Sequence, residues 1–356
     1  MQKQDSYDYY VGIDCAQNKH DFAMKNNQDK FLIKKGHFSN TLQGYEKFLN
    51  TVLSKCLDKD KILFGMEVTG IYGTNLYERL KSDGYHVVMI SPDSVKNYRD
   101  YKRLNKTDKI DSACIAELLL NGDAQIVHAE KNGYTDLKAY IRRRNALKVT
   151  CIQETNRFLA KVCLYFPDLL KVFPSGRATL KAIFSIYPTP YSIIEADFNE
   201  LVSVLQKASK NKFGVDKANE LIHAARNSIV VRKSISDGEL YNIHSLIDSI
   251  DSLESEIRNL EKIIDSKAEE FPAYHVLLTL TGCGKITAAT IVAEIGDISR
   301  FHKASQIVSL AGLYGDNSKS GSSVNKRGKI SKKGSRYLRH AIYMVCLLYT
   351  SDAADD

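Results

Sequence analysis

The sequence lacks three features that would place it in common protein classes. Its seven cysteines are scattered and include no Cys-x-x-Cys pair, which argues against a disulfide framework and a zinc site and predicts reduced thiols. No apolar run approaches the ~18 residues of a membrane span. The polar start Met1-Gln2-Lys3-Gln4 has no apolar core of a secretion signal. We therefore expect a soluble intracellular protein without a membrane partner.

Acidic residues are almost absent from residues 301–350. This stretch holds nine Lys and Arg residues and one acid, Asp316, so its net charge equals the +8 of the whole 356-residue chain. A basic block of this kind is typical of a polyanion site, because each neutralised phosphate releases condensed counterions. The alternative is a solvated basic face. The remaining composition, 44% hydrophobic and 26% charged, is that of a globular chain with two or three domains.

The first hundred residues alternate between strand and helix patterns. The predicted elements are, in order, three strands at 11–14, 20–25 and 31–39, a helix at 42–57, a strand at 62–66, a helix at 75–82 and a strand at 86–90. The first three have short polar turns between them, as in an antiparallel meander. This order of elements is that of an RNase H-like domain.

The middle of the chain, about 134–268, is predicted to be mostly helical. A heptad seam with alternating spacings of four and three is formed by Leu246, Ile250, Leu253, Ile257, Leu260 and Ile264. The seam fits an intermolecular coiled coil and equally an amphipathic helix packed on its own domain. A second predicted helix, 137–170, carries Arg142, Arg143 and Arg144. These three are candidate nucleic-acid contacts, although consecutive residues do not share one helix face.

Four acids have the order and setting that a two-metal nuclease requires. Asp14 and Glu67 each close a predicted strand, whereas Asp108 and Asp111 stand three residues apart on a predicted helix and so share a face. Converging carboxylates repel one another, and divalent cations remove that repulsion. Oxygen ligands suit Mg²⁺, with Mn²⁺ as an alternative, and two such ions stabilise the attacking and leaving oxygens of phosphoryl transfer. The alternative is that each acid is a surface residue, as most Asp and Glu are. The strand ends and the Asp-x-x-Asp helix start together favour a site.

A Gly-x-Gly turn at Gly282 and Gly284, followed by Lys285, opens an Ala-rich helix. Such a turn lets backbone N–H groups approach a phosphate closely, as in a helix-hairpin-helix DNA-backbone motif. It lacks the remaining glycine and the acid of a dinucleotide fingerprint, and it is not a Walker A loop. The alternative is a tight turn between helices that binds nothing.

A loop rich in Gly and Ser, residues 311–323, precedes a basic stretch and a helix that starts near Ser335. A serine in this loop could be a phosphate ligand, a helix cap or a nucleophile. The basic candidates for nucleic-acid binding here are Lys319, Lys326, Arg327, Lys329, Lys332, Lys333, Arg336 and Arg339.

Taken together, these residues resemble the DEDD transposases of bacterial insertion sequences, whose relatives are described as bridge-RNA-guided recombinases. The resemblance covers nearly the whole chain. Its motifs are Tyr10-Val11-Gly12-Ile13-Asp14 with His20, Met66-Glu67-Val68-Thr69-Gly70, Lys106-Thr107-Asp108-Lys109-Ile110-Asp111-Ser112-Ala113, Thr281-Gly282-Cys283-Gly284, residues 301–313 and Ser320-Gly321. It implies an RNase H-like, RuvC-like domain in which Asp14, Glu67, Asp108 and Asp111 hold the metal.

The resemblance also implies a mechanism, partners and a location in the bacterial cytosol, in association with the nucleoid. The serine of the family's Ser-Gly motif falls on Ser320, with Ser318, Ser322 and Ser323 close by. Its hydroxyl would attack a DNA phosphodiester and form a covalent link, which requires activation because a free hydroxyl is a weak nucleophile. A noncoding guide RNA would pair with donor and target DNA, so the protein would bind backbone and shape. The heptads and a site built from two domains favour a homo-oligomer, either dimer or tetramer.

The predicted fold class is α/β plus α. We expect an RNase H-like catalytic domain over residues 1–130, a helical linker and coiled coil over 131–268, a small, mainly helical C-terminal transposase domain over 269–350, and a non-native tail over 351–356.

Three other functions share features with this sequence. A metal-dependent junction-resolving nuclease would use the same acids with water as the nucleophile, and a non-catalytic nucleic-acid-binding scaffold would tolerate loss of any acid. A sugar kinase or chaperone-type ATPase requires a phosphate-gripping Gly or Thr after the first acid, and Cys15-Ala16-Gln17-Asn18 offers none.

Overall fold

The computed structural model describes residues 7–56, 58–67, 71–104, 108–127, 132–315 and 330–352. The chain divides into two compact units, Met1–Ala129 and Glu130–Asp356. The first unit is a six-stranded mixed sheet with helices, and the described part of the second is almost entirely helical. Within the described residues, no helix is long and apolar enough to cross a membrane.

The sheet of the first unit has the strand order β3-β2-β1-β4-β5-β6. Its strands are β1 (Tyr9–Asp14), β2 (Lys19–Asn26), β3 (Phe31–Ser39), β4 (Ile62–Glu67), β5 (His86–Ile90) and β6 (Ile126–Val127). Strands β1, β2 and β3 form an antiparallel meander, while β4 runs parallel to β1 and β5 parallel to β4. Strands β1 to β5 confirm the five strands predicted at 11–14, 20–25, 31–39, 62–66 and 86–90. The two-residue β6, antiparallel to β5, was not predicted.

The α-helices in the described part of this unit are α1 (Leu42–Leu53), α2 (Thr74–Ser82), α3 (Pro92–Tyr101) and α4 (Asp108–Asn121). Alternation along the strands divides the core between the two faces of the sheet. Val11 and Ile13 belong to a cluster that includes Phe48 of α1, whereas Ile115 of α4 centres the cluster on the opposite face. Helix α1 ends at Leu53, earlier than the predicted helix 42–57, because a tighter turn closes it where Lys55 N–H donates to the Val52 carbonyl.

The second unit contains the remaining helices. They are α5 (Asn132–Tyr165), α6 (Leu169–Val172), α7 (Arg177–Ile186), α8 (Pro190–Ile194), α9 (Phe198–Ser209), α10 (Val215–Arg226), α11 (Asp237–Ala268), α12 (Pro272–Leu278), α13 (Lys285–Ile295), α14 (Ala304–Ala311) and α15 (Arg336–Asp352). The long helices α5 and α11 pack against each other. One core cluster joins α5, α7 and the first half of α11, and another joins the opposite ends of α5 and α11 to α13 and α15.

The heptad seam lies within this packing. Ile250 is buried in the first cluster, and Leu253 and Ile257 pack against it. Ile264 is buried in the second cluster together with Leu137 of α5. The seam is therefore covered by the chain's own helices, so of the two interpretations the packed amphipathic helix describes it. The seam gives no argument for an intermolecular coiled coil.

Candidate active site

Asp14 and Glu67 lie side by side at the ends of two central strands. Strands β1 and β4 are parallel neighbours in which Ile13 is paired with Met66, so the next residue of each strand is one of these acids. Both acids also lie on the same face of the sheet. Each stands two residues after a glycine, Gly12 or Gly65, that faces α4, and residues two apart on a strand share a face.

Helix α4 lies directly against β1 on that face. A Cβ atom added to Gly12 would be 2.2 Å from the Ser112 carbonyl oxygen and 2.4 Å from the Ala116 nitrogen. Further along α4, Glu117 is 3.2 Å from Nζ of Lys25, and Lys25 is the cross-strand partner of Tyr10. Helix α4 thus runs opposite to β1, and its first turn lies towards the end of β1 that carries Asp14.

That first turn carries the other two predicted acids. Asp111 is buried, and its Oδ1 accepts a hydrogen bond of 2.6 Å from Nη1 of Arg99 on α3. The same bond raises the pKa of Arg99, so the guanidinium stays charged beside Asp111. Asp108 is the first residue of α4, and its side chain lies outside what the structure describes. The fold therefore brings the backbone positions of all four acids to one end of one sheet face.

The electrostatics at the strand ends agree with this arrangement. Cys15 follows Asp14 and is buried. Burial raises the pKa of its thiol to about 12, and the negative charges of Asp14 and Glu67 add to the shift. Both carboxylates are therefore close enough to act on the thiol, and Cys15 is a protonated, unreactive residue at neutral pH.

The donor set suits a hard divalent cation. Among the described side chains, no three His, Cys, Asp or Glu residues are close enough together to hold a metal ion. Asp108 is not among those side chains. Carboxylate oxygens are the ligands that Mg²⁺ and Mn²⁺ prefer, so Asp14, Glu67 and Asp111 fit such an ion in the type of their oxygen donors.

A fifth acid on the same face was missed by the sequence analysis. Asp21 of β2 is the direct cross-strand partner of Asp14, and only 4% of it is exposed. Its Oδ1 has no hydrogen-bond partner among the described residues. The signal in the sequence was an acid among the apolar residues of a central strand, directly after His20.

His20 points to the opposite face and holds the turn that follows Asp14. It is fully buried against Phe38, with the ring centroids 5.0 Å apart, and its Nδ1 accepts a hydrogen bond from the Ala16 N–H. Burial lowers the pKa of His20. The residue therefore remains neutral at pH 7, and its hydrogen bond holds the backbone of Ala16, two residues after Asp14.

The three consecutive arginines of α5 are each paired with an acid of their own unit. Arg142 contacts Glu294 of α13 at 3.4 Å. The other two contact α11, Arg143 through Glu256 at 2.9 Å and Arg144 through Glu261. The side chain of Arg144 is 13% exposed, against 60% for Arg143. These charges are thus partly neutralised by the fold, and their predicted role in nucleic-acid binding stays a prediction.

The Gly-x-Gly turn joins α12 to α13. Gly282 adopts a φ of 79°, which favours glycine, and Gly284 caps α13 without a side chain above it. Lys285 forms an ion pair with Asp265 of α11, which raises the pKa of the lysine. The turn is open at Gly284, its lysine is already paired with an acid, and its contact with a DNA backbone stays a prediction.

The two ends of the C-terminal loop are held to helices α13 and α14. The hydroxyl of Ser335 donates to Oε2 of the buried Glu294 at 2.8 Å and accepts the Leu338 N–H, so Ser335 is the cap of α15. Arg339 donates to the Ala311 carbonyl at 2.8 Å. At the beginning of the loop, Gly315 bridges to Ile330.

Several predicted residues of the loop lie outside the described residues, and they are Lys319, Ser320, Lys326, Arg327 and Lys329. Lys332, Lys333 and Arg336 are described and exposed. Arg336 stacks on the adjacent Tyr337 ring at 4.8 Å. The described basic residues therefore remain accessible beside the end of the loop.

Comparison with known proteins agrees with these observations. Residues 11–167 match the DEDD transposase family model, and residues 274–353 match the transposase model of the IS116/IS110/IS902 family. The chain is 23% identical over 328 residues to the IS117 mini-circle protein of Streptomyces coelicolor, which carries the name of a transposase, covering 87% of this chain and 77% of that one. It is 24% identical over 317 residues to an insertion element IS116 protein of Streptomyces clavuligerus, covering 85% and 75%.

A shorter match has a different name. Over 121 residues the chain is 33% identical to the pilin gene-inverting protein of Moraxella bovis, covering 34% of this chain and 35% of that one. The matched family models together span about two thirds of the chain. The chain therefore belongs to the DEDD transposases of insertion sequences, and it is an enzyme that acts on DNA in transposition or recombination.

Proposed function

We propose that this transposase cuts and rejoins DNA with a divalent-metal site formed by Asp14, Glu67, Asp108 and Asp111, and with Ser320 as the nucleophile. The observation that carries the proposal is that β1 and β4 end side by side in two acids, on the sheet face covered by the first turn of α4. Four acids at one end of one face are costly without a cation. The same arrangement supports an RNase H-like, RuvC-like fold for the first unit.

Each described residue has a defined task in this proposal. Asp14 and Glu67 supply carboxylates from the rigid centre of the sheet, and Arg99 fixes the orientation of Asp111. A bound Mg²⁺, or Mn²⁺ in its place, would stabilise the negative charge that develops on the attacking and leaving oxygens. A site held by strands and a packed helix keeps its geometry better than one on loops.

The proposed chemistry is a reversible exchange of phosphate esters. The Ser320 hydroxyl loses its proton and its oxygen forms a bond to a DNA phosphorus, while the bond from that phosphorus to the departing strand breaks and the departing oxygen takes up a proton. Attack by the hydroxyl of a second strand reverses these changes and restores the serine. No water is consumed, so the number of phosphodiester bonds is conserved.

Support for the serine comes from the Ser-Gly motif and from the described ends of its loop. Gly315, Ile330 and Ser335 anchor the segment that contains Ser320. Guidance by a noncoding RNA is proposed from the family resemblance and from the basic stretch 301–350. In that case base pairing selects the sequence and the protein contacts backbone and shape. A dimer or tetramer is proposed on the same resemblance, and analytical ultracentrifugation with and without RNA tests it.

The test is a covalent-adduct assay. The full chain, with RNA from the ends of its element, is incubated with labelled donor and target DNA in Mg²⁺, and a denaturing gel reports protein–DNA adducts and free cut strands. We expect an adduct that is lost in Ser320→Ala and in Asp14→Ala, and retained in the matched variants Ser318→Ala, Ser322→Ala and Ser323→Ala.

Two results would contradict the proposal, each in a different way. Free nicked DNA that persists in Ser320→Ala but not in Asp14→Ala would indicate a water-using nuclease such as a junction resolvase. Binding of DNA without cutting, unaffected by loss of either residue, would indicate a non-catalytic nucleic-acid-binding scaffold.

A further inference from the structure

We propose that Asp21 is a fifth carboxylate of the metal site and that its Oδ1 binds the ion held beside Asp14. The inference rests on the metal site of the proposed function and adds a residue that lies outside the four-acid pattern. Asp21 is directly opposite Asp14 in the antiparallel pair of β1 and β2, and such partners have Cβ atoms about 4.5–5.5 Å apart on the same face.

Helix α4 covers the sheet face on which Asp21 lies. Residues two apart on a strand share a face, so Asp21 lies on the same side of β2 as Lys25, which contacts Glu117 of α4. Helix α4 covers β2 as well as β1. Asp21 therefore lies on the sheet face that α4 covers and that carries Asp14 and Glu67.

The carboxylate of Asp21 is buried, and only one of its two oxygens has a partner among the described residues. The side chain of Asp21 is 6% exposed, and its Oδ1 has no partner among the described residues. Its Oδ2 is 3.4 Å from Nζ of Lys19, whose own side chain is 50% exposed. A buried carboxylate with one unpaired oxygen is costly, and a second negative charge directly across the strand pair adds repulsion.

Apart from Lys19, the cationic side chains near Asp21 on this face are already paired with other acids. Lys25, on the same face, is already shared between Asp29 and Glu117, and Arg99 is paired with Asp111. Lys19 alone reaches Asp21 among the described cations, and it reaches the other oxygen. The strand register places this carboxylate next to Asp14, and hard oxygen donors are the ligands that a divalent ion selects.

The experiment measures Mn²⁺ binding to the full chain by calorimetry and by the electron paramagnetic resonance of free Mn²⁺. The proteins are wild type, Asp14→Asn, Asp21→Asn, Lys19→Gln and the matched control Asp60→Asn. Asp60 is exposed and precedes β4, at the end of the sheet remote from Asp14.

We expect Asp21→Asn to weaken Mn²⁺ binding at least about tenfold, since residues of a metal site commonly contribute that much. Lys19→Gln should bind Mn²⁺ more tightly than wild type, because the ammonium group no longer competes for the carboxylate, and Asp60→Asn should be unchanged. Thermal unfolding without metal adds a second readout. Asp21→Asn should melt at or above the wild-type temperature and lose the upward shift that Mn²⁺ gives the wild type.

A purely structural role for Asp21 predicts the opposite pattern. In that case Asp21→Asn melts lower without metal, because the contact with Lys19 is lost, and binds Mn²⁺ as the wild type does. That result, with Asp14→Asn still deficient in binding, would overturn the role of Asp21 and leave the proposed metal site standing. Absence of Mn²⁺ binding by the wild type would overturn both.

Discussion

The contact between Gly12 and α4 makes a quantitative prediction. Replacing Gly12 by Ala puts a Cβ atom 2.2 Å from the Ser112 carbonyl oxygen and 2.4 Å from the Ala116 nitrogen, whereas real Cβ contacts are not closer than 3.0 Å. Both obstructing atoms are backbone atoms of a helix, so no side-chain rotation relieves the clash. Helix α4 must move by about 1 Å, and we expect a loss of about 3 kcal/mol in the free energy of unfolding, the upper part of the usual range for overpacking.

The same displacement should reduce catalysis. Helix α4 carries Asp108 and Asp111, so moving it shifts these acids relative to Asp14 on β1. A misplacement of about 1 Å costs catalysis on the order of a hundredfold. We therefore expect strand cleavage by Gly12→Ala to fall by about that factor at a temperature where the variant is still folded.

Two other glycines serve as controls in guanidinium unfolding followed by circular dichroism. A Cβ atom at Gly65 would meet only the Leu119 and Ile90 side chains, at 2.7 and 3.0 Å, so Gly65→Ala should cost about 1 kcal/mol. Gly238 of α11 has nothing within 4 Å, and Gly238→Ala should stabilise the chain by about 0.5 kcal/mol through the unfolded state. Equal stability of Gly12→Ala and Gly65→Ala would refute the close approach of α4 to β1.

The remaining predictions concern a buried acid and a buried histidine. Glu294→Gln should lower the free energy of unfolding by about 2–3 kcal/mol, because a neutral amide accepts a weaker hydrogen bond from the Ser335 hydroxyl and no longer pairs with the charge of Arg142. The half-exposed Glu256→Gln is the control, with less than about 1 kcal/mol expected, and an equal effect of the two would contradict this role of Glu294. Burial holds the pKa of His20 below its unfolded value of 6.5, so the unfolded chain binds the proton first and stability falls as pH drops below about 6.5. Guanidinium midpoints from pH 8 to 5 should show this decline, and His20→Gln should reduce it; an unchanged profile would exclude the histidine as its source.

Local patterns of the sequence determined the elements of the first unit. Val11 and Ile13 alternate with Tyr10 and Gly12, and this alternation identified β1, because a strand exposes successive residues to opposite faces. Strand β6 has only Ile126–Val127, which is too short for any alternation to appear. Its pairing with β5 depends on contacts made by the folded chain.

The partner of each element was decided by the tertiary structure. The heptad seam fixed a helix and its apolar stripe, yet only the packing of α11 on α5 showed that this chain covers the stripe itself. Arg142, Arg143 and Arg144 were recognisable as positive charge, whereas their acidic partners lie more than a hundred positions away. No local pattern encodes a contact over that distance.

The residues of the candidate site also fall into two groups, those that the sequence identified and one that only the structure identified. The sequence identified Asp14 and Glu67 because each closes a predicted strand, and Asp108 with Asp111 because they share a helix face. Asp21 has no such local mark, since its significance comes from the register that pairs it with Asp14. The residue types and their spacing thus determined which chemistry the chain offers. The strand register and the packing of α4 on β1 decided which carboxylates share one face of the sheet, because the interactions between them act through space and not along the chain.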